Sequence, residues 1–298
     1  KEVLGVGKKA LLMHEKTHES IKTVRPLKDG VIADFNAAEL MIRELMKMIY
    51  PKKPLFPPSW RMVICIPSSI TEVEKRAVRD SAEQAGAKEV YMIHEPMAAA
   101  LGIGIDVEEP VGNMIIDIGG GTTGITVIAL AGIVCDQSIR IGGDEFTADI
   151  MEALRRYHSL LIGERTAEQI KIHVGAALKD LDNPPDDMPV NGRDLVTGIP
   201  KQIMVSYQEV AEALDKSIFK IEEAILKALE TTPPELAADI YRRGLYLTGG
   251  GALLRGLDKR LSSKIKLPVH IAEDPLKSVV RGTGIALKNY QRFPFIMR

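Results

Sequence analysis

The stretch MIIDIGGGTTG, residues 114–124, places the carboxylate of Asp117 near the end of an apolar run and then continues into three glycines and two threonines. Glycines let peptide N–H groups approach a ligand closely, and a concave backbone of this kind suits phosphate oxygens. The hydroxyls of Thr122 and Thr123 can add donors. Because phosphates repel a carboxylate, a divalent cation between them, or a water oriented by Asp117, is expected, and Mg²⁺ is the natural choice.

A second triple glycine follows a second apolar run, in LTGGG at residues 247–251. One triple glycine alone is explained as well by a hairpin turn as by a ligand site. Two such loops at strand ends favour a ligand, because strand ends are where α/β folds bind them. We expect the loops to come from separate halves of the protein, one holding the phosphates of a nucleotide and the other covering its nucleoside.

Two further motif matches are rejected. Residues 119–124 fit G-x-G-x-x-G, but ITVIAL follows, which indicates a strand and not the helix that a dinucleotide-binding motif needs. GGDEF at 142–146 matches the diguanylate cyclase signature, and we interpret it as a coincidence at a strand-to-helix junction. The Walker A pattern does not occur in the sequence.

Composition excludes several classes of protein. The 298 residues carry 39 Lys and Arg against 40 Asp and Glu, so there is no basic excess typical of nucleic-acid binding. Six histidines lack zinc-ligand spacing, and Cys65 and Cys135 lie in apolar runs, which favours free buried thiols of a reducing compartment. No apolar run reaches the ~18 residues of a membrane span, and no signal peptide is visible. The length suggests about two domains.

Strand and helix patterns alternate along most of the chain, which predicts a mixed α/β protein. Three helices begin with capping-box pairs, where a Ser or Thr is followed three residues later by Glu or Gln. These predicted helices and their pairs are 71–85 with Thr71 and Glu74, 166–179 with Thr166 and Gln169, and 206–231 with Ser206 and Glu209. A further helix is predicted at 144–161.

Six blocks, from VIADF at 31–35 through EPMAAALG, GNMIIDIGGGTTG, SIRIGGDEF and LLIGERTAEQIK to RGLYLTGGGALLRGLD, resemble the MreB family of the actin-like ATPase superfamily. The similarity runs in order to about residue 287. It implies the actin-like, ribonuclease H-like α/β fold, with two similar lobes around a cleft that binds ATP or ADP with Mg²⁺. The expected domains are 1–100 for the first lobe, 101–275 for the second with a subdomain at about 145–205, and 276–298 for a C-terminal helix returning to the first.

The resemblance also implies roles for individual residues. Glu95 in EPMAAA, Asp117 and Thr122 are expected to be catalytic. Asp117 is expected to hold the metal through water, because protein-bound Mg²⁺ keeps several of its waters. The alternative for Glu95 is that it is only an acid at a helix N-terminus, where the helix dipole favours it. The alternative for Glu168 and Lys171 is that they form a surface ion pair. The expected nucleotide contacts are Gly119, Gly120, Gly121, Thr122, Thr123, Gly143, Asp144, Glu168, Lys171, Gly249, Gly250, Gly251, Ala252 and Leu253.

Two departures from the family pattern stand out. The first phosphate loop of the superfamily, Asp-x-Gly-Thr, has its place upstream of Lys1, so we expect further N-terminal sequence. The family usually has an acid after GGGTT, where this chain has Gly124; we expect a modest consequence.

The segment YPKKPLFPPSW, residues 50–60, combines four prolines with lysines and exposed-looking apolar residues. Leu55 and Phe56 on such a loop suit an anionic membrane surface, and a similar loop in the family inserts into the inner leaflet. Burying two such side chains contributes about 3 to 5 kcal/mol. A single copy would therefore bind the membrane weakly, whereas a polymer with many copies would bind it firmly. The alternative is that both side chains fold back into the core.

The resulting prediction is an actin-like ATPase that polymerises with bound ATP on the inner face of the cytoplasmic membrane and organises cell-wall synthesis to maintain rod shape. Its expected partners are further copies of itself, the membrane, a membrane-spanning morphogenesis protein and the wall-synthesis machinery, with no nucleic acid. Helix 71–85 resembles the family's protofilament-pairing region. The alternatives are a sugar-kinase-like or chaperone-like nucleotide-binding domain, and a nucleotide-binding scaffold that no longer hydrolyses.

Overall fold

The structure is a computed structural model that describes residues 3–28, 30–49 and 60–298. The chain divides into two compact units. The first comprises residues 1–95 and 283–298, and the second comprises residues 96–282. Each unit is described by itself below.

The first unit is built around two parallel strands whose connection is a helix. Ala82, Ala87 and Val90 form its small buried cluster, with Met62 and Ile64 packed against it. The C-terminal residues add to this sheet, because Met297 pairs with Met92 and the Tyr290 ring lies 4.9 Å from that of Tyr91. The elements are α1 (Lys8–Met13), β1 (Leu27–Lys28), β2 (Val31–Ile32), α2 (Phe35–Ile49), β3 (Trp60–Ile66), α3 (Glu72–Gln84) and β4 (Ala87–His94).

The second unit contains a five-stranded mixed sheet and a smaller antiparallel sheet of three strands. In the large sheet, the strand that ends at Asp117 and Ile118 is central, with one antiparallel and one parallel neighbour. Its elements begin with α4 (Glu95–Gly102), whose first residue belongs to the first unit, and end with α10 (Ser278–Lys288), which continues into the first unit from Thr283. Between them lie β5 (Asn113–Ile118), β6 (Thr123–Ala129), β7 (Gly132–Ile139), α5 (Gly143–His158), β8 (Leu160–Leu161), α6 (Glu164–Val174), β9 (Met188–Asp194), β10 (Pro200–Val205), α7 (Tyr207–Thr231), α8 (Pro234–Arg243), β11 (Leu245–Thr248), α9 (Leu257–Ile265) and β12 (Val269–Ile271).

The order of the large sheet is β12-β11-β5-β6-β7, and the order of the small one is β10-β9-β8. Hydrophobic residues of β5, β6, α5, α6 and α7 form one continuous buried core, in which Phe146 is the largest fully buried side chain. Because both faces of β5 are covered, the strand reads as an unbroken apolar run up to Asp117, as expected of a buried strand.

Two of the three predicted capping boxes are confirmed. Thr71 with Glu74 caps α3, and Ser206 with Glu209 caps α7, with both reciprocal hydrogen bonds present. The third prediction is wrong, because α6 begins at Glu164 after the N-cap residue Gly163, which places Thr166 inside the helix. The Gly163 carbonyl accepts the N–H groups of Thr166 and Ala167, so the helix is already formed where a cap was expected.

Other local predictions have clear outcomes. The strand predicted after G-x-G-x-x-G is β6, and GGDEF lies at the junction where α5 begins, with Gly142 as its N-cap residue. The two cysteines of the sequence, Cys65 and Cys135, do not form a disulfide, and both are half-buried. Of the helices that the structure describes, none is long and apolar enough to cross a membrane. Leu55 and Phe56, the predicted membrane loop, lie outside the described residues.

Candidate nucleotide site

Both triple-glycine loops leave the same edge of the same sheet. Strand β11 runs parallel to β5 with Thr248 opposite Asp117, so residues 119–121 and 249–251 follow the carboxyl ends of neighbouring strands. Ligands bind at such ends in α/β sheets. The expectation that the loops come from separate halves is wrong, since both belong to the second unit.

The second loop packs directly against the end of β5. Gly249 has φ +81° and ψ 171°, a backbone conformation that residues with side chains avoid. A Cβ atom on Gly249 would overlap Asp117 Oδ1 and the Ile118 carbonyl oxygen, and one on Gly251 would overlap the Ile118 side chain. The second loop therefore packs against the two residues that lead into the first, and Asp117 lies at that contact.

The Asp117 carboxylate is half-buried, and burial raises its pKa to about 6. Within residues 3–28, 30–49 and 60–298, no side chain or backbone group forms a hydrogen bond or ion pair with it. A desolvated carboxylate without a protein partner suits Mg²⁺, which binds proteins through one or two carboxylates and keeps several waters. Among these same residues, no group of three or more His, Cys, Asp or Glu side chains could hold a metal ion by itself.

The N-terminus of α5 supports the first loop from behind. Gly143 N–H donates to the Gly119 carbonyl oxygen at 2.9 Å, and Asp144 N–H donates to that of Gly120 at 2.7 Å. A Cβ atom on Gly142 would lie 2.6 Å from the Gly120 oxygen, so the approach requires glycine there. Gly142 was missed in the sequence analysis, although the pair of glycines before the helix was a visible signal.

The two threonines after the first loop differ. Thr123 is fully buried, and its hydroxyl donates to the Ile141 carbonyl oxygen at 2.7 Å. Its predicted use as a hydroxyl donor to phosphate does not match this contact, because the proton is already engaged within the sheet. Thr122 is half-buried, and its carbonyl oxygen accepts the Gly119 N–H at 2.9 Å, which closes the loop.

Glu168 and Lys171 of α6 lie beside the N-terminus of α5. Lys171 Nζ donates to the Gly143 carbonyl oxygen at 2.7 Å and lies 2.6 Å from Glu168 Oε2. Thr147 joins them, with its hydroxyl 2.9 Å from Glu168 Oε2. Thr147 was also missed, although it follows Gly143 by four residues in a helix and so shares its face.

The second loop continues into a short 3₁₀-helix, Gly250–Leu253, which is attached to the end of α6. Ala252 is fully buried and Leu253 is exposed. Just beyond, the Arg255 carbonyl oxygen accepts the Ala177 N–H at 2.8 Å, and Arg255 Nη1 donates to the Gly175 carbonyl oxygen at 3.4 Å. The second loop, the first loop, α5 and α6 are therefore linked within one unit.

Glu95 is the exception among the predicted residues. It is the first residue of α4, is half-buried, and falls in the first unit, whereas the other predicted nucleotide contacts all belong to the second. The contacts above therefore bring together every predicted nucleotide-binding segment but not this predicted catalytic acid.

Comparison with known proteins agrees along nearly the whole chain. The family model for MreB/Mbl protein matches residues 1–294. The cell shape-determining protein Mbl of Bacillus subtilis is 46% identical over 293 residues, covering 98% of this chain and 87% of Mbl. The cell shape-determining protein MreB of Escherichia coli is 47% identical over 291 residues, covering 97% of this chain and 82% of MreB.

Solved structures show the same fold. MreB5 of Spiroplasma citri bound to ADP superposes with a TM-score of 0.90 at 38% identity, over 97% of this chain and 87% of MreB5. The same protein bound to AMPPNP superposes with a TM-score of 0.90 at 39% identity, over 98% of this chain and 86% of MreB5. A MamK double helical filament superposes with a TM-score of 0.78 at 23% identity, over 97% of this chain and 86% of MamK, so it shares the fold. The mixed α/β, actin-like fold predicted from the sequence is confirmed, and the chain belongs to the MreB/Mbl family.

Proposed function

We propose that this chain binds ATP with Mg²⁺ at the two glycine loops, hydrolyses it, and assembles into membrane-associated filaments that organise cell-wall synthesis and maintain rod shape. The observation that carries the proposal is the half-buried Asp117, which has no hydrogen-bond or ion-pair partner among the residues that the structure describes. It lies where the loop of residues 249–251 packs against the strand end that leads into residues 119–121. The similar proteins from Bacillus subtilis and Escherichia coli are named cell shape-determining proteins, and MreB5 was solved with ADP and with AMPPNP.

The first loop is the proposed phosphate site. The amides of Gly120 and Gly121 have no side chains between them and a ligand, whereas the Gly119 N–H is donated to the Thr122 carbonyl oxygen and shapes the loop. Thr122 itself is half-buried. The carbonyl oxygens of Gly119 and Gly120 are turned away toward α5, since they accept its first N–H groups. Such a loop offers its N–H groups to phosphate oxygens, with the positive end of the α5 dipole behind it.

The nucleoside is proposed to lie along α6 and the second loop. Glu168 is partly exposed and offers carboxylate oxygen, while the exposed Leu253 offers apolar surface. Gly143, Asp144, Gly249, Gly250, Gly251 and Ala252 complete the backbone around it. One polar acceptor beside apolar surface is a combination that suits a ribose and a base.

Hydrolysis is proposed to use Asp117, Thr122 and Glu95. Mg²⁺ bound at Asp117 would neutralise charge on the phosphates and orient the water that attacks them. Asp117 would hold that ion through its waters, and Thr122 would orient the terminal phosphate. The assignment of Glu95 as the residue that positions or deprotonates the attacking water rests on the family resemblance alone.

The hydrolysis proposal is tested by Glu95→Ala. We expect ATP turnover to fall by about 10²-fold or more, because a positioned general base contributes that much, while ATP affinity stays within about twofold. Glu72→Ala is the matched control, because Glu72 is also the first residue of its helix and is exposed. An unchanged turnover rate in Glu95→Ala would show that this residue is only a helix N-terminal acid.

The filament and membrane proposals are separated by sedimentation with ATP, with and without vesicles containing anionic lipid. We expect the protein to sediment as polymer alone and to bind the vesicles. The double variant Leu55→Ser with Phe56→Ser is expected to keep polymerising and to lose vesicle binding. Absence of ATP-dependent polymer would favour a kinase-like member of the superfamily. Vesicle binding by the double variant would show that Leu55 and Phe56 do not hold the protein on the membrane.

A further inference from the structure

Thr147 is a buried residue whose hydroxyl lies between the two sides of the proposed nucleotide site. It is 6% exposed and stands one helical turn after Gly143 in α5. Its Oγ1 lies 2.9 Å from the Gly143 carbonyl oxygen and 2.9 Å from Glu168 Oε2, and it accepts from Lys171 Nζ at 3.1 Å. One hydroxyl therefore connects the phosphate side, through Gly143, to α6.

The Lys171 ammonium is already satisfied by the protein. Three oxygen atoms surround Nζ, those of Gly143 at 2.7 Å, Thr147 at 3.1 Å and Glu168 Oε2 at 2.6 Å. An ammonium has three hydrogens, so none remains for a ligand in this arrangement. The side chain is only 15% exposed. Lys171 therefore acts on Glu168 and on the start of α5 rather than by donating to the nucleotide.

Glu168 is left with one oxygen for a ligand. Its Oε2 takes both Lys171 Nζ and the Thr147 hydroxyl, while Oε1 has no hydrogen-bond partner among the residues that the structure describes. The side chain is 46% exposed, so Oε1 is reachable. An ionised carboxylate only accepts hydrogen bonds. The matching group on a nucleotide is a donor, and ATP offers two kinds, the ribose hydroxyls and the amino group of adenine. A ribose hydroxyl is the donor that deoxy analogues can test directly.

We propose that Thr147 is a positioning residue for ribose recognition. By holding Glu168 Oε2 together with Lys171, its hydroxyl directs Oε1 toward a ribose hydroxyl of the bound nucleotide, and so contributes to the preference for ribonucleotides over deoxyribonucleotides. The proposal deepens the proposed function and rests on it, because it requires the nucleoside to lie along α6.

The test compares dissociation constants for ATP, 2′-deoxy-ATP and 3′-deoxy-ATP, measured by titration calorimetry. The wild-type protein is expected to bind ATP at least tenfold more tightly than one of the deoxy analogues, because removing a ligand donor leaves a carboxylate acceptor unpaired. The weaker analogue identifies which hydroxyl Glu168 accepts. In Thr147→Val, which keeps the shape without the hydroxyl, we expect that preference to fall by about fivefold or more through weaker ATP binding alone.

Conservative and unrelated variants separate positioning from folding. Thr147→Ser keeps a hydroxyl and is expected to restore the preference, while Thr147→Ala is a second hydroxyl-free variant should the valine disturb packing. Thr126→Val removes another buried hydroxyl, which donates to Asp136 in the sheet, and should leave the preference unchanged.

Two results would overturn the inference alone: a wild-type protein that binds ATP without any preference, or hydroxyl-free variants that keep the full preference or weaken all three ligands equally. A wild-type protein that binds none of the three nucleotides would overturn the proposed function itself, and the inference with it.

Discussion

The two triple-glycine loops have the same sequence pattern but need glycine for different reasons. In the first loop, a Cβ atom on Gly120 would meet nothing nearer than Asp144 Oδ2 at 4.0 Å. In the second, Gly249 has φ +81° and faces Asp117 and Ile118 with no room for a side chain. The first loop is open where a ligand would sit, whereas the second is packed against the end of β5.

This difference separates binding from folding. If the first loop holds phosphates as proposed, glycine there keeps space free for their oxygens, so its loss should weaken binding without unfolding the protein. Glycine at 249 lets β11 and β5 bring their loops together, so its loss should disturb the sheet end and Asp117 at once. Substitutions to alanine, one methyl group at a time, can test each half of this statement.

The largest effect is expected for Gly249→Ala. The methyl group meets both an unfavourable backbone conformation and backbone atoms that cannot move aside, so we expect the free energy of unfolding to fall by about 3 kcal/mol or more. Gly250→Ala is the matched control, because its Cβ would lie 3.2 Å from the end of the Leu276 side chain, which can rotate. Denaturant unfolding of both variants measures the difference. Equal stabilities would show that the loops are not packed as described.

The next effect is expected in the pH dependence of stability without metal. The Asp117 pKa is raised from 3.8 to about 6 in the folded protein. A raised carboxyl pKa means that the folded state favours the proton, so this group's contribution is greatest below pH 4 and is lost as pH rises through 6. At about 1.4 kcal/mol per pKa unit, Asp117→Asn should stabilise the metal-free protein by up to about 3 kcal/mol at pH 7.

The same variant should gain nothing below about pH 4, where both side chains are neutral. The free energies of unfolding of the wild type and of Asp117→Asn are measured from pH 4 to pH 7 with a chelator present. The difference between the two proteins is the relevant quantity, because the titration of groups that both share cancels in it. A difference independent of pH would contradict the assignment of the raised pKa to Asp117.

A smaller and more selective effect is expected for Gly120→Ala. The methyl group fits, so the free energy of unfolding should change by less than about 0.5 kcal/mol, while it occupies space at the proposed phosphate site and should weaken ATP binding about tenfold. Gly132→Ala, at the start of β7 and opposite the last residue of β6, has comparable room and should bind ATP normally. Loss of stability without loss of binding would reverse the roles assigned to the two loops.

The sequence predicted the local structure around the site well, because the signals were local. The apolar run ending at Asp117, the glycine loop and the capping residues Thr71 and Ser206 each act on neighbours a few residues away. Prediction failed at α6, where Gly163 starts the helix before Thr166 could cap it. A capping pattern alone does not say which of two candidate residues begins the helix.

The relation between the loops could not be read from the sequence. Strand β11 pairs with β5 across more than a hundred intervening residues, and no local pattern specifies that pairing. Nor does it specify that Gly142 fits against the Gly120 oxygen, or that Thr147 contacts both Gly143 and Glu168. These contacts are consequences of packing between segments that are distant in the sequence.

The central claim is that Asp117 and the two loops form one magnesium-dependent nucleotide site. The most direct measurement is the ATP dissociation constant with Mg²⁺ and with a chelator, for the wild-type protein and for Asp117→Asn, by titration calorimetry. We predict that Mg²⁺ tightens ATP binding by tenfold or more in the wild type and by less than twofold in the variant. An equal Mg²⁺ effect in both proteins, or no ATP binding by the wild type, would contradict it.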